Sequence, residues 1–340
     1  MLNAIDVFSG CGGLTAGLRA AGFNVLAAVE IKPGPSLVYH KNHPDVHIYT
    51  EDVREIDAKE ILETLNLNKG DLSLLAGCPP CQGFSKMRTK NRRKPVKDER
   101  NNLVFDFVRL VEGLLPQTVM LENVPGLKDN WRFKKVIEKL ENLGYEWDCK
   151  IVNAADYGIP QRRKRMILMA SRLGKVSIPD GDSDHKTVRD TIGDLPTPKK
   201  SHIALHKFLA EHTDVVKERI KLVPKNGGSR LAWGEKNQLA CHKRLKGGFR
   251  DVYGRMAWDK VAPTITRSCV NPSKGRFIHP EQNREITLYE AALLQSFPRS
   301  YKFPISLGRG EIASMIGEAL PPLLAKEQAQ YLRNHILLPK

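Results

Sequence analysis

The chain has 340 residues, 41% of them apolar and 27% charged, ordinary for a globular protein and long enough for one large domain plus a smaller one. The longest apolar runs fall far short of a membrane span, and the opening residues 1–10 carry no basic-then-apolar secretion pattern, so the expected compartment is the cytoplasm. Fifty-four Lys and Arg against 38 Asp and Glu give a formal charge of +16, which favours an anionic partner, nucleic acid being the commonest.

Taken in chain order, Ala4–Phe8, Asn24–Val29, His47–Tyr49, Leu72–Ala76, Thr118–Leu121 and Arg165–Ala170 read as strands. Leu14–Ala21, Ile56–Leu65, Leu103–Leu114 and Arg132–Leu143 have helical spacing between them. This alternation predicts an α/β domain with a doubly wound, mainly parallel sheet that takes ligands at the carboxyl ends of its strands. From about Ser177 the pattern dissolves among Pro179, Gly181, Pro196, Pro198, Pro224, Gly227, Gly228, Gly247 and Gly248, which reads as a loop-rich second domain. Helical periodicity returns at Thr287–Gln295 and from Glu311 to about Asn334.

The basic excess is clustered. Residues Lys86–Arg100 hold eight basic and two acidic side chains, a loop of net charge +6, and a second basic region runs from Lys217 to Arg250. The six cysteines are too sparse for a disulfide scaffold, and Cys78-Pro-Pro-Cys81 has no second pair to complete a zinc site, so no metal is expected.

Four segments carry chemistry. In Asp6-Val-Phe-Ser-Gly10-Cys-Gly12-Gly13-Leu14 a strand enters a glycine-rich turn that opens a helix; this is either a tight turn or a place where backbone approaches a ligand. Glu30 and Asp52 end the next two strands, where carboxylates can accept from ribose hydroxyls and an adenine amino group. Three such strand ends fit an adenosyl ligand better than any one does. In Gly77-Cys-Pro-Pro-Cys81-Gln-Gly-Phe-Ser85 two prolines hold the backbone extended before Cys81. Cys81 reads as a nucleophile beside the basic loop, as a buried structural thiol, or as half of a redox pair with Cys78. Glu122-Asn123-Val124 puts a carboxylate at the same sheet end. In Gln161-Arg-Arg163-Lys-Arg165, read as a strand, Gln161, Arg163 and Arg165 share one face; if that face is buried it needs acidic partners, such as a substrate or Glu122.

In this order the four segments resemble the DNA (cytosine-5)-methyltransferase family, whose motifs include F-x-G-x-G, PPCQGFS, ENV and Q-x-R-x-R. Arg284-Glu-Ile-Thr287-Leu-Tyr-Glu290-Ala-Ala-Leu-Leu-Gln-Ser-Phe297-Pro agrees as well, and so does Gly317-Glu-Ala-Leu-Pro321. The last of these departs from the family's G-N-x-V-P at Glu318. The resemblance implies Cys81 as nucleophile, Glu122 holding the cytosine ring, and Arg163 and Arg165 lining the base pocket. It implies that S-adenosylmethionine is contacted by Phe8, Gly10, Gly12, Leu14, Glu30, Ile31, Asp52, Val53, Pro79 and Leu103. Duplex DNA would meet Gln82, Ser85, Arg88, Arg92, Arg93 and Lys94, with Lys86–Lys97 closing over phosphates. In the loop-rich region Arg230, Lys243 and Arg244 stand with Gly227-Gly228, Gly247-Gly248, Trp233 and Phe249, candidates for groove-reading loops that contact DNA or equally for ordinary turns.

The implied domains are a catalytic one at 1–176 and 302–340, a target-recognition domain at 177–283, and a connecting segment at 284–301. A monomer acting on duplex DNA is expected, of the bacterial or phage modification type, and a restriction endonuclease reading the same site is a candidate partner. The RNA-modifying branch of the family, a non-catalytic DNA-binding relative and a nicotinamide dehydrogenase are the alternatives. The last explains neither PPCQGFS nor the charge.

Overall fold

The computed structural model describes residues 1–80, 98–234, 238–239 and 251–338. By internal contacts the chain divides into two units. The first takes Met1–Tyr157, Lys164–Asp182 and Leu320–Lys340; the second takes Gly158–Arg163 and Ser183–Ala319. The division comes after Asp182 rather than at Ser177. Residues 284–319, read as a connector and the start of the returning catalytic domain, group with the second unit.

The first unit is a seven-stranded sheet: β1 (Asn3–Val7), β2 (Asn24–Val29), β3 (His47–Tyr49), β4 (Leu74–Gly77), β5 (Thr118–Asn123), β6 (Glu146–Asn153) and β7 (Lys164–Ser171). Its order is β3-β2-β1-β4-β5-β7-β6. The first five strands pair in parallel, while β7 runs antiparallel to both β5 and β6. The expected α/β sheet is present, and the order reverses between β1 and β4, the switch point at which such sheets bind ligands.

The strands are apolar on both faces because both are covered. Ile5, Val7, Leu75, Val119 and Leu121 join one core cluster with Ile61, Phe107, Val111, Val136 and Leu140. These come from α3 (Ala58–Leu65), α4 (Leu103–Leu114) and α5 (Trp131–Asn142). Ala4, Leu74, Ala76 and Met120 alternate with the strand members and are buried too. On their face lie α1 (Gly13–Ala20) and the last helix of the chain, Pro322–Leu337.

In the first unit two elements escaped the sequence pattern. Helix α2 (Pro33–Asn42) holds two prolines, but both stand in its first turn, where a missing N–H breaks no intrahelical bond. Strand β6 is a sheet edge with Glu146 and Trp147 exposed, so it lacks an apolar run. The helical stretch from Glu311 to Asn334 is two helices, Arg309–Glu318 and Pro322–Leu337, because Pro321 and Pro322 interrupt the hydrogen bonding between them.

The second unit has no named strand among its described residues, only short helices and isolated bridges. A small cluster of Ile220, Val223, Trp233, Tyr253 and Ile278 forms part of its core. Beside it the fully buried Arg255 donates to the carbonyls of Val223, His279, Gln282 and Ile220 at 2.6–3.1 Å and to Asn283 Oδ1 at 2.5 Å. One guanidinium thus closes the end of the helix Asp214–Lys221 and ties it to the 279–283 turn.

The helix pair α1 and Pro322–Leu337 meets at Gly17, where an added Cβ would lie 2.4 Å from Ala325 Cβ and 2.5 Å from Pro322 O. Gly17→Ala should therefore cost about 1–3 kcal/mol of stability by overpacking. Gly310→Ala, with nothing within 4 Å of the new methyl, should be neutral or slightly stabilising. Denaturant midpoints of the two variants compare them directly, and equal midpoints would mean that the helix pair yields without cost.

Candidate active site

The site is assembled at the carboxyl ends of the parallel strands. After β1 the chain turns through Phe8, Gly10 and Gly12, with φ of 64°, 56° and 89°, before α1 begins at Gly13. Glycine takes the left-handed region without penalty, but Phe8 does not, so this turn stores strain of about 1–3 kcal/mol. Glu30, at the end of β2, fastens the turn. Its two carboxylate oxygens accept from Gly10 N at 2.9 Å and Lys32 N at 2.8 Å.

Beneath the turn lies a polar group that the sequence reading passed over. Asp6 is fully buried on β1; its Oδ2 accepts from Thr15 Oγ1 at 2.7 Å, and Tyr39 Oη lies 2.8 Å from the same hydroxyl. Its Oδ1 has no hydrogen-bond partner among the described residues. Burial pushes the Asp6 carboxyl up to about 7 and the Glu30 charge adds to the rise, while hydrogen bonds from Thr15 oppose it.

Past β3, Asp52 is half-buried and Val53 buried, with Arg54 folded back onto the Asp52 carboxylate at 2.6–3.0 Å. The Arg54 guanidinium and backbone N–H hold that carboxyl below its ordinary range. Leu103 opens α4 and packs on the core cluster, Leu14 is buried in α1, and Ile31 is exposed.

Gly77 ends β4 where an added Cβ would meet Phe107 and Val7 O, both at 2.8 Å, so only glycine lets α4 pack there. Cys78 and Pro79 follow. Asn123 Nδ2 donates to Pro79 O at 3.0 Å, two residues before Cys81 in sequence. The Asn123 amide thereby couples the ENV segment to the Cys-Pro-Pro-Cys segment. The Cys78 thiol hydrogen-bonds Glu122. Burial first, then the Glu122 and Asp6 charges, hold it well above its ordinary 9.0, so Cys78 stays a neutral thiol and not a nucleophile.

Glu122, at the end of β5, is 8% exposed and meets Arg165 Nε at 2.6 Å. The acidic partner anticipated for the arginine face is present, but for Arg165 alone. Arg163 is buried and grouped with the second unit. Its Nη1 donates to Ile265 O and Gly317 O, and its Nη2 to Gly317 O and Ala319 O, all at 3.0–3.1 Å. Gln161 donates to Leu294 O and bonds Gln295, while Gln295 donates to Ile316 O and Ala319 O. Strand β7 begins only at Lys164, yet the alternation was read correctly: Gln161 and Arg163 are buried, Arg162 and Lys164 exposed.

Glu318 pairs with Arg267 at 3.1 Å, so the departure from the family motif is neutralised by a neighbour. Arg230, expected to reach a DNA groove, is buried in the short helical turn Arg230–Trp233, away from solvent. Cys81, Gln82, Ser85, Arg88, Arg92, Arg93, Lys94, Lys243 and Arg244 lie outside the described residues. Among the described residues, no three His, Cys, Asp or Glu side chains are grouped to hold a metal, and no helix is long and apolar enough to cross a membrane.

Residues 2–334 match the family model for the C-5 cytosine-specific DNA methylase. The chain belongs to that family. Among relatives of this cytosine methylase, the Type II methylase M.HgiDII of Herpetosiphon aurantiacus is 38% identical, the alignment covering 98% of the chain and 95% of the relative. The Type II methyltransferase M1.HphI of Haemophilus parahaemolyticus is 36% identical, over 97% and 86%. A solved structure described as a DNA modification methyltransferase encoded within an E. coli prophage superposes with a TM-score of 0.75 over 99% of each chain, at 26% identity.

The buried Asp6 gives this methylase a testable acid–base signature. The folded chain keeps a proton on Asp6 that the unfolded chain releases above 3.8, so the Asp6 contribution to stability falls as pH rises from 3.8 to about 7. Asp6→Asn removes that dependence. The difference in unfolding free energy between variant and wild type should shift toward the variant between about pH 5 and about pH 8. A constant difference would show that Asp6 does not titrate in this window.

Proposed function

We propose that the protein methylates carbon 5 of a cytosine turned out of duplex DNA, with S-adenosylmethionine as methyl donor and Cys81 as nucleophile. The observation that carries this reading is the pairing of Arg165 at 2.6 Å with Glu122, whose strand neighbours the one that leads into Cys81. The strand ends fit the cofactor. A strained glycine turn and the carboxylates of Glu30 and Asp52 at neighbouring strand ends suit a cationic ligand with a ribose and an adenine, and Asp6 Oδ1, without a partner among the described residues, lies beneath the turn. When bound, S-adenosylmethionine supplies an electrophilic methyl on its sulfonium.

The chain's own groups do the rest. Carbon 5 of cytosine is a poor nucleophile until the Cys81 thiolate adds to C6. As that S–C bond forms, N3 takes up a proton handed on by Glu122, the equivalent of the one the Cys81 thiol gave up, and Glu122 then holds N3–H by a hydrogen bond while Arg165 keeps the carboxylate in place. The ring is then an enamine, and C5 becomes the carbon that would accept a methyl group. Loss of the C5 proton to water, expulsion of the Cys81 thiolate and return of the N3 proton to Glu122 restore aromaticity. Neutral Cys78 takes no covalent part. Turning the base out costs roughly a few kcal/mol, and the phosphate contacts of Arg88, Arg92, Arg93 and Lys94 compensate. Specificity belongs to residues 177–283, and a restriction endonuclease reading the same site, in the same cytoplasm, is the natural partner.

Transfer of a labelled methyl from S-adenosylmethionine should be found on duplex DNA and not on RNA; label on RNA alone would move the protein to the other branch. Cys81→Ala should bind cofactor and DNA yet transfer nothing, whereas Cys78→Ala should stay active. DNA carrying 5-fluorocytosine at the target should trap an adduct that peptide mapping assigns to Cys81, because fluorine cannot leave as the proton does. An adduct on another residue would remove Cys81 from this role.

A further inference from the structure

Arg109 lies on α4, a turn and a half beyond Leu103, and was not among the residues the sequence singled out. Its Nη1 donates to Ile56 O at 2.9 Å and its Nη2 to Val53 O at 2.6 Å, and its Nε stands 3.6 Å from Asp106. The two carbonyls belong to the loop between β3 and α3, the loop that carries Asp52 and Val53. Bonds inside that loop, Arg54 onto Asp52 and Glu55 N onto Asp52 O, fix its shape but not its distance from α4. Further along, Gly113 brings α4 against Ala58, where an added Cβ would come within 2.3 Å of the alanine methyl. The helix is therefore held to this loop at one point and to the start of α3 at another.

We propose that Arg109 is a positioning residue for the adenosyl group, setting the spacing between the Asp52–Val53 wall and the Leu103 wall of the cofactor pocket without touching the ligand. This rests on the reading of the strand ends as the S-adenosylmethionine site. A planar guanidinium suits the task, because one rigid fork reaches two carbonyls at once and stays charged at every working pH. An ammonium on a flexible stem reaches one. Both loop residues are buried at the side chain, so the loop moves against α4 only by shifting Val53 and Ile56 in the core. Arg109 acts on the exposed rim of that contact, which makes it a determinant of pocket width rather than of folding.

The test uses the full chain: equilibrium titration of S-adenosylmethionine without DNA, together with turnover at saturating cofactor, for wild type, Arg109→Ala and Arg109→Lys. Arg109→Ala should raise the cofactor Kd about tenfold, the equivalent of one charge-assisted hydrogen bond. Turnover at saturation and duplex-DNA affinity should hold, and Arg109→Lys should fall between the two. A wild-type Kd in Arg109→Ala overturns the proposal. Should that variant fail to fold, a wild-type Kd in Arg109→Lys overturns it and an intermediate Kd supports it. Amide exchange at Val53–Asp57 separates this inference from the reading it rests on. Faster exchange there in the variant supports the clamp even if the wild type binds no cofactor, which would count against the cofactor reading alone. Unchanged exchange overturns the clamp.

Discussion

A carboxylate closed off from water is costly by several kcal/mol unless a partner stands in fixed geometry beside it, and the first unit is arranged around one such group. Glu122 faces Ile167 across the antiparallel pair β5–β7, so Arg165, two residues back on β7, shares that face and reaches it diagonally. This contact exists only because β7 runs against β5 while β4 runs with it. The change of strand direction brings the glutamate's partner from one side and the Cys78-Pro79-Pro80 segment from the other. Asn123 secures the second side through Pro79 O. Glu122 and Asn123 thus divide the work, one facing chemistry and the other holding the segment that leads to the nucleophile.

The alternation of strand and helix was legible because parallel strands buried on both faces are continuous apolar runs. Family motifs then marked the strand ends. The unread parts share a physical cause: the deciding interactions are polar and nonlocal. Asp6 looked like any strand residue, because nothing local reveals that Asp6 and Tyr39 converge on the Thr15 hydroxyl. The alternating burial of Gln161, Arg163 and Arg165 was visible. That Arg163 bonds carbonyls of Ile265, Gly317 and Ala319 rather than a carboxylate depends on residues more than a hundred positions away. Arg230 was read from its company of glycines and aromatics, which mark core turns as readily as groove-facing loops.

Among its described residues the second unit has no ladder of hydrogen bonds such as a sheet supplies, and arginines with carbonyl partners take its place. Arg255 satisfies five acceptors in the interior, and Arg276 reaches the carbonyls of Gly227, Gly228 and Arg255 at 2.8–3.0 Å. Periodicity vanishes from such a region because long polar side chains, not apolar stripes, fix the path of the backbone. Part of the +16 charge is therefore internal scaffolding, and the share left for a polyanion is smaller than composition suggests.

The close packing of α1 at Gly17 on Ala325 and Pro322 has a consequence for synthesis. A ribosome delivers the first strands and helices early, then all of Ser183–Ala319, and only afterwards the helix that covers the opening one. Until that last segment emerges, one face of the sheet has its cover incomplete, and the nascent chain must carry that apolar surface through the making of an entire second unit. The exposure of that surface to chaperones or to misassembly is set by how quickly Pro322–Leu337 follows Ser183–Ala319.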